Sequence, residues 1–133
     1  MIIILTGSTG SGKTDTSWEL LKKINNIVFL DCDWFASKVP FCWSNEIDVD
    51  KIFESISKMI TFNVESDYKN FVVTFTPQMA ELYEKYLDHF SKFNMPIYLF
   101  RLKCNLQELE KRILKRDRIE SQKQQIAGNC SND

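Results

Sequence analysis

A glycine-rich stretch directly behind the first apolar run has the residue types of a phosphate-binding loop. It matches the pattern G-x-x-x-x-G-K-[ST] in full, with the residues Gly7, Ser8, Thr9, Gly10, Ser11, Gly12, Lys13 and Thr14. Glycines let the backbone turn so that its N–H groups face inward, and a helix starting behind them directs its positive end at the same anion. Lys13 can reach the β- and γ-phosphates of a nucleotide, and the Thr14 hydroxyl can bind Mg²⁺.

A dinucleotide-binding loop is the competing interpretation of this stretch. Asp31 and Asp33 lie near the distance at which such proteins carry a ribose-binding acid. The loop reads G-x-x-G-x-G-K-T rather than G-x-G-x-x-G, however, and a lysine has no role in the second pattern. We therefore favour the phosphate loop, both over this alternative and over a glycine-rich turn with an accidental lysine.

Apolar runs along the chain predict the elements that position this loop. Four of them are short and continuous, as in buried parallel strands: Ile2–Thr6, Ile27–Asp31, Phe71–Thr76 and Ile97–Leu102. Helical patterns alternate with them over residues 13–25, from Val49 to Ile60, from Met79 to Phe93, and after a candidate N-cap at Asn105. This alternation predicts an α/β fold in which helices cover both faces of a parallel sheet.

Composition and charge exclude several classes of function. The net charge is -1, so no basic field favours nucleic acid. The apolar amino terminus is short and has no basic segment before it, which predicts a strand and no membrane association. The cysteines show no metal-binding spacing and favour free thiols in a reducing cytoplasm: Cys32, Cys42, Cys104 and Cys130. We expect a single cytoplasmic domain over residues 1–133.

With these motifs the chain resembles the small P-loop kinases, which include nucleoside and nucleotide kinases, shikimate- and gluconate-kinase-like enzymes and the kinase domain of polynucleotide kinases. Residues 2–14 carry the resemblance most specifically, and residues 27–33 and 97–118 carry it moderately. It implies a three-layer P-loop NTPase fold with strand order 2-3-1-4-5, and transfer of the γ-phosphoryl group of ATP with Mg²⁺. Only four strands are recognisable here, so we expect the order 2-3-1-4 with the usual fifth strand missing.

The second predicted strand ends in "LDCDWF", where Asp31 and Asp33 are two residues apart. Such residues project to one side of a strand, at the carboxyl end where ligands bind in open α/β sheets. The resemblance implies that Asp33 accepts the proton of the attacking hydroxyl and that Asp31 supports the metal. The alternative is that one carboxylate caps the following turn and the other is solvated.

The segment "LEKRILKRDR" carries Arg112 and Arg116 four residues apart, on one face of a predicted helix. In the family that the chain resembles, a lid brings such arginines onto the transferring phosphoryl group, which implies a catalytic role for both. The alternative is a solvated helix face on which Glu108 and Arg112 form an ion pair.

Two departures from the family leave a second function open. The third strand ends in Thr74 and Thr76, where a Walker-B acid often stands, and residues 117–133 form a polar tail, either disordered or truncated. The leading hypothesis is an ATP-dependent kinase. The alternative is a non-catalytic or truncated ATP-binding module with a regulatory or partner-binding role. A GTPase is discounted because no N-K-x-D motif is present.

An aromatic segment follows Asp33, with Trp34, Phe35, Phe41 and Trp43. These rings could stack on a phosphate acceptor or pack the next helix onto the sheet. Polynucleotide kinases often carry an arginine three residues after the acid, and this chain has Ala36 there. Together with the absence of a basic patch, this argues against nucleic acid and predicts a small-molecule acceptor such as a nucleoside, a nucleotide or another metabolite.

Overall fold

A computed structural model describes the backbone of residues 1–129 and the side chains of residues 1–120, so Cys130 and the last residues of the predicted tail lie outside the described part. Strands and helices alternate along the chain. They are β1 (Ile2–Thr6), α1 (Lys13–Lys23), β2 (Ile27–Asp31), α2 (Cys32–Ala36), α3 (Glu46–Glu65), β3 (Asn70–Phe75), α4 (Pro77–Glu81), a 3₁₀ turn (Tyr83–Tyr86), α5 (Asp88–Ser91), β4 (Ile97–Arg101) and α6 (Leu106–Asn129).

The four strands form one parallel sheet with the predicted order β2-β3-β1-β4. β1 lies inside the sheet, where Ile4 pairs with Val73 of β3 and with Leu99 of β4. β2 pairs with β3, and this register sets Asp31 beside Thr74. Because all strands run the same way, their carboxyl ends meet at one edge of the sheet. The loop after β1 and the acidic end of β2 therefore lie at the same edge.

Two apolar cores, one on each face of the sheet, make the fold three-layered. Side chains alternate between faces along a strand, so Ile3 and Leu5 pack with Phe29 on the face covered by α1. Ile2 and Ile4 point to the opposite, larger core, which α3 covers. The predicted stripe of α3 supplies its buried residues Val49, Ile52, Phe53, Ile56 and Ile60.

The third predicted helix, from Met79 to Phe93, is wrong as a single element. Its start is as expected, because Thr76 caps α4 through a bond from the Met79 N–H to its hydroxyl at 3.2 Å and Pro77 follows. The chain then breaks into α4, the 3₁₀ turn and α5. Over so few residues, an α-helix with about 3.6 residues per turn and a 3₁₀-helix with about 3.0 direct the same side chains toward the core. Stacking of Tyr86 on Phe53, with ring centroids 4.1 Å apart, is compatible with the tighter turn.

At the end of the chain, β4 lies at the edge that the expected strand order implies, whereas α6 is longer than expected. β4 is an edge strand, and Tyr98, Leu99 and Phe100 are 48%, 46% and 51% exposed. The polar segment from residue 117 onward, expected to be a disordered or truncated tail, continues α6 to Asn129. It is rich in strong helix formers and contains no proline, which favours this extension. None of the helices among the described residues is long and apolar enough to cross a membrane.

Candidate active site

The glycine-rich loop joins β1 to α1 in a conformation that leaves backbone donors available. Gly10 and Gly12 have φ angles of 80° and 99°, in the left-handed region that glycine adopts at low cost. Gly12 is the N-cap of α1 and provides no side-chain cap. The first N–H groups of a helix have no partner inside the helix, and its dipole favours negative charge there. The loop and helix end together form an anion-binding site.

The Ser11 side chain of the loop carries a buried polar atom, its hydroxyl oxygen, without a hydrogen-bond partner among the described residues. A Cβ built on Gly7 would lie 2.6 Å from this hydroxyl and 2.6 Å from the Leu102 carbonyl oxygen, so the start of the loop packs closely against the chain that follows β4. A buried hydroxyl without a partner costs free energy, and Ser11 is not among the residues that line the cavity described below.

Lys13 lies folded against the loop. Its Nζ donates hydrogen bonds to the carbonyl oxygens of Gly7 at 2.6 Å and of Ser8 at 3.1 Å. Burial lowers the pKa of Lys13, while the neighbouring Cys32, Asp33 and Asp31 act in the opposite direction. The ammonium group is thus partly desolvated, and its hydrogen bonds within the described residues go to neutral carbonyls, which phosphate oxygens can replace with a stronger, charge-assisted contact.

Asp31 ends β2 and caps α2. Its Oδ1 accepts hydrogen bonds from the Asp33 N–H and from the Thr74 hydroxyl, each at 3.0 Å. The carboxylate is 9% exposed and lines the same cavity as the loop. Asp31 therefore caps the following turn through Oδ1, as the alternative interpretation proposed. Its other oxygen, Oδ2, has no hydrogen-bond partner among the described residues.

The predicted base, Asp33, lies beside Asp31 and is exposed. Although the residue is exposed, partial desolvation of its carboxyl group raises the pKa of Asp33, and the charge of Asp31 adds to this effect, whereas Lys13 and a contact with Cys32 oppose it. A carboxylate with a raised pKa is a better proton acceptor than an ordinary aspartate.

Possible metal ligands cluster at the end of β2. One ligand atom each from Asp31, Cys32 and Asp33 lies within 4.8 Å of the other two. Burial raises the pKa of Cys32 to about 12, and the two carboxylates add to this shift, so the thiol is protonated at neutral pH and is a poor metal ligand. The carboxylate oxygens remain, and Mg²⁺ prefers such hard ligands. The donor set therefore fits Mg²⁺.

Helix α6 lies directly over the phosphate loop. A Cβ built on Gly10 would lie 3.2 Å from Leu109 Cδ1 and 3.5 Å from Ile113 Cγ1, and one on Gly12 would lie 3.7 Å from Arg112 Nη1. Arg112 Nε also donates to Glu108 at 2.9 Å, so the predicted intrahelical pair is formed while the guanidinium lies beside the loop.

A cavity of about 940 Å³ lies between the loop, the end of β2 and α6. Of the predicted site residues, it is lined by Thr9, Gly10, Gly12, Lys13, Thr14, Asp31, Asp33, Arg112 and Arg116. Gly7, Ser8 and Ser11 are in the loop but not among the lining residues. Sequence reasoning missed Lys111 and Lys115, although the repeated Lys-Arg pair four residues apart was a signal for them. Among the described side chains of α6, four basic ones thus line the cavity, together with Glu108 and Glu120 of the same helix.

The aromatic segment after Asp33 mostly packs. Phe35, Phe41 and Trp43 lie against the larger core, and the last two meet edge to face with centroids 5.0 Å apart. Trp34 is 54% exposed and contacts Phe29 at 5.0 Å. None of these rings is among the described residues that line the cavity. Three of the four rings, those of Phe35, Phe41 and Trp43, therefore pack onto the core.

Comparisons with known proteins agree with this fold. The profile of a family described as AAA domain matches residues 3–131. No curated protein sequence matches at a significant level. Among solved structures, a chain of the Pnkp1/Rnl/Hen1 RNA repair complex is similar with a TM-score of 0.67 and 18% identity; the match covers 86% of this chain and 37% of that one. The present chain thus spans little more than a third of that protein.

Two further structures have comparable similarity. A sugar kinase from Janibacter sp. HTCC2649 matches with a TM-score of 0.62 and 16% identity, over 86% of this chain and 66% of that chain. The tunicamycin resistance protein of Deinococcus radiodurans matches with a TM-score of 0.63 and 13% identity, over 84% and 67%. At such identities the likeness concerns the fold, while the family match covers nearly the whole sequence. The chain therefore belongs to the AAA domain family and has the fold of the small P-loop kinases.

Proposed function

We propose that the chain transfers the γ-phosphoryl group of ATP to a hydroxyl or phosphate group of a small molecule. One observation carries the proposal: a single cavity brings together the part of the phosphate loop that includes Lys13 and Thr14, the exposed carboxylate of Asp33 and the basic side chains of α6. Phosphoryl transfer requires mainly positioning and charge stabilisation, and these groups offer both.

The residues divide the task as follows. Loop N–H groups and Lys13 bind the β- and γ-phosphates, with Lys13 exchanging its carbonyl partners for phosphate oxygens. The Thr14 hydroxyl and the Asp31 carboxylate would hold Mg²⁺, which offsets phosphate charge when bound. Where the acceptor is a hydroxyl, its oxygen attacks the γ-phosphorus, the bond to the β,γ-bridging oxygen breaks and ADP leaves. The hydroxyl proton passes to Asp33, and Arg112 and Arg116 stabilise the charge on the transferring group.

The site favours a small acceptor over a nucleic-acid end. The cavity volume of about 940 Å³ is within the range of about 300–1,000 Å³ found for small-molecule sites. The net charge of -1 gives no general attraction for nucleic acid.

Cys32, Cys42 and Cys104 are free thiols, which supports a cytoplasmic location.

A transfer assay tests the proposal. The purified chain is incubated with ATP and Mg²⁺ and a panel of nucleosides, nucleotides, sugars and hydroxy acids, and ADP release is followed. We expect one class of acceptor to stimulate ADP release, and Lys13→Ala to abolish the stimulation. Lys23→Ala, an exposed change at the other end of α1, is the matched control and should match the unaltered chain.

Two results would count against a kinase. Stimulation that is equal in Lys13→Ala would show that the activity arises outside the loop. Mg²⁺-dependent ATP binding without stimulation by any acceptor would favour the alternative, an ATP-binding module with a regulatory or partner-binding role. The threonine in place of a carboxylate at the end of β3 is the observation that keeps this alternative open.

A further inference from the structure

We propose that Thr74 is a positioning residue that orients Asp31 toward the metal, in place of a carboxylate at the end of β3. The inference rests on the proposed function, because it assumes that the cavity binds ATP with Mg²⁺. It concerns a different residue and a different property, however: the orientation of one carboxylate oxygen by a neighbouring strand.

The hydrogen bonds of Thr74 fix the direction of its hydroxyl proton. The Cys32 backbone N–H can only donate, so at 3.3 Å it donates to Thr74 Oγ1. The hydroxyl proton can then point at Asp31 Oδ1, 3.0 Å away, because a carboxylate oxygen is a stronger acceptor than the Cys32 thiol that also contacts this hydroxyl. Thr74 lines the cavity but is only 1% exposed, so water has little access to either bond. The threonine hydroxyl thus acts as one acceptor and one donor, each with a buried partner.

These bonds orient both the carboxylate and the turn behind it. Oδ1 accepts from Thr74 and from the Asp33 N–H, so two donors hold one side of the Asp31 carboxylate. Oδ2 makes no hydrogen bond within the described residues and remains available to a cation in the cavity that Asp31 lines. The bond from the Cys32 N–H also links the first residue of α2 to β3. Asp33 is the next residue of that helix, so the same bond helps to position it.

The strand register explains why a hydroxyl suits this position. Asp31 and Thr74 are direct partners in the pairing of β2 with β3. A second carboxylate at 74 would lie next to Asp31, and two like charges at such a distance raise the pKa of one of them and destabilise the pair. A neutral donor at 74 supports the charge on Asp31 instead. The metal-binding carboxylate is then on β2 alone.

Mg²⁺ dependence of ATP binding tests this role without requiring turnover. Thr74→Val keeps the shape of the side chain but removes both hydrogen bonds, and Thr74→Ser keeps the hydroxyl. We expect Thr74→Val to raise the Mg²⁺ concentration for half-maximal enhancement of ATP binding by about 10-fold, as is typical when a partner of a metal ligand is lost. ATP affinity without metal should change by less than about twofold, because the loop is untouched. Thr74→Ser should behave like the unaltered chain.

Two controls separate orientation from general damage. Thr61→Val removes a hydroxyl that bonds the Ser57 carbonyl oxygen at 3.0 Å on α3, and it should not change the Mg²⁺ dependence. Thr74→Val should also have no further effect on Mg²⁺ dependence in an Asp31→Asn background, because its influence passes through that carboxylate. If Thr74→Val does not fold, Thr74→Cys, with its much weaker donor, is expected to shift the Mg²⁺ dependence in the same direction.

The outcomes distinguish this inference from the proposed function. A normal Mg²⁺ dependence in Thr74→Val, or in Thr74→Cys if it stands in, overturns the inference even if the chain is an active kinase. An equal further loss in the Asp31→Asn background overturns it as well. The expected shift in a chain that phosphorylates no acceptor supports the role of Thr74 and contradicts the kinase. Absence of Mg²⁺-dependent ATP binding in the unaltered chain overturns both.

Discussion

Asp33→Asn is the substitution that tests the proposed chemistry most sharply. Asparagine has nearly the size of aspartate and can keep the local contacts, but it cannot accept the proton of an attacking hydroxyl at neutral pH. The backbone N–H of residue 33, which bonds Asp31 Oδ1, is unaffected by the change. Any loss of activity therefore reports on the carboxylate itself.

The expected effects on catalysis and on ATP binding differ widely. A positioned general base contributes about 10²–10⁴-fold, so turnover should fall at least 100-fold. ATP affinity should stay the same or increase, since the substitution removes a negative charge near the phosphate site. That charge is exposed, and a pair of unit charges in close contact in water is worth about 1 kcal/mol, so the increase should not exceed about fivefold.

The folded protein should tolerate the substitution. Burial and Asp31 raise the folded-state pKa of Asp33 above its unfolded value, so its ionised form opposes folding. This cost is present above the folded-state pKa and disappears as the pH falls below the unfolded value. Asp33→Asn removes the cost, and the variant should unfold at the same or a higher temperature than the unaltered chain at neutral pH.

Turnover, ATP affinity and thermal unfolding are measured on the same preparations, beside Asp88→Asn, an exposed change on α5 that is not among the cavity-lining residues. Loss of turnover and of ATP affinity together in Asp33→Asn would refute the assignment of Asp33 as the base. So would turnover within about tenfold of the unaltered chain, because that is less than a general base contributes.

Three further predictions concern the same cavity. The rate of phosphoryl transfer at limiting acceptor should fall as the pH drops through the raised pKa of Asp33, since only its ionised form accepts a proton; a pH–rate profile without this limb in the acidic range contradicts the role. Arg112→Gln should lower turnover by about 100-fold, whereas Arg118→Gln, on the same helix but outside this cavity, should have little effect in the same assay. Gly10→Ala should destabilise the fold by about 1–2 kcal/mol and weaken ATP binding, because φ is 80° and the new Cβ would lie 3.2 Å from Leu109 Cδ1; unchanged unfolding in denaturant would disprove this.

The sheet and the loop were predictable from sequence because local patterns determine them. Continuous apolar runs such as Ile2–Thr6 are typical of strands covered on both faces. The loop motif is specific for a turn between a strand and a helix that binds phosphate through its backbone N–H groups. The helix from Met79 to Phe93 failed because periodicity reports which side chains face the core and not how tightly the backbone turns between them. The extension of α6 was missed because it depends on helix propensity without an apolar stripe.

The site was only partly predictable because its assembly depends on tertiary contacts. Asp31 and Asp33 were identified from their spacing, but the bond between Asp31 and Thr74 depends on strand register, which no local pattern fixes. The position of α6 over Gly10 likewise follows from packing between segments far apart in the sequence. The sequence therefore named most of the residues that line the cavity, the structure adds which of them lie together, and their catalytic and binding roles stay predictions.

The most direct test of the central claim is to observe the transferred phosphate itself. ³¹P NMR follows ATP, Mg²⁺, the purified chain and the acceptor that stimulates ADP release most. The proposed function predicts that the γ-phosphate signal is replaced by one new phosphoryl signal on the acceptor, in a one-to-one ratio with ADP. If ADP instead appears only with inorganic phosphate, at the same rate with and without acceptor, the chain is not a kinase for that acceptor class and the proposed function is contradicted.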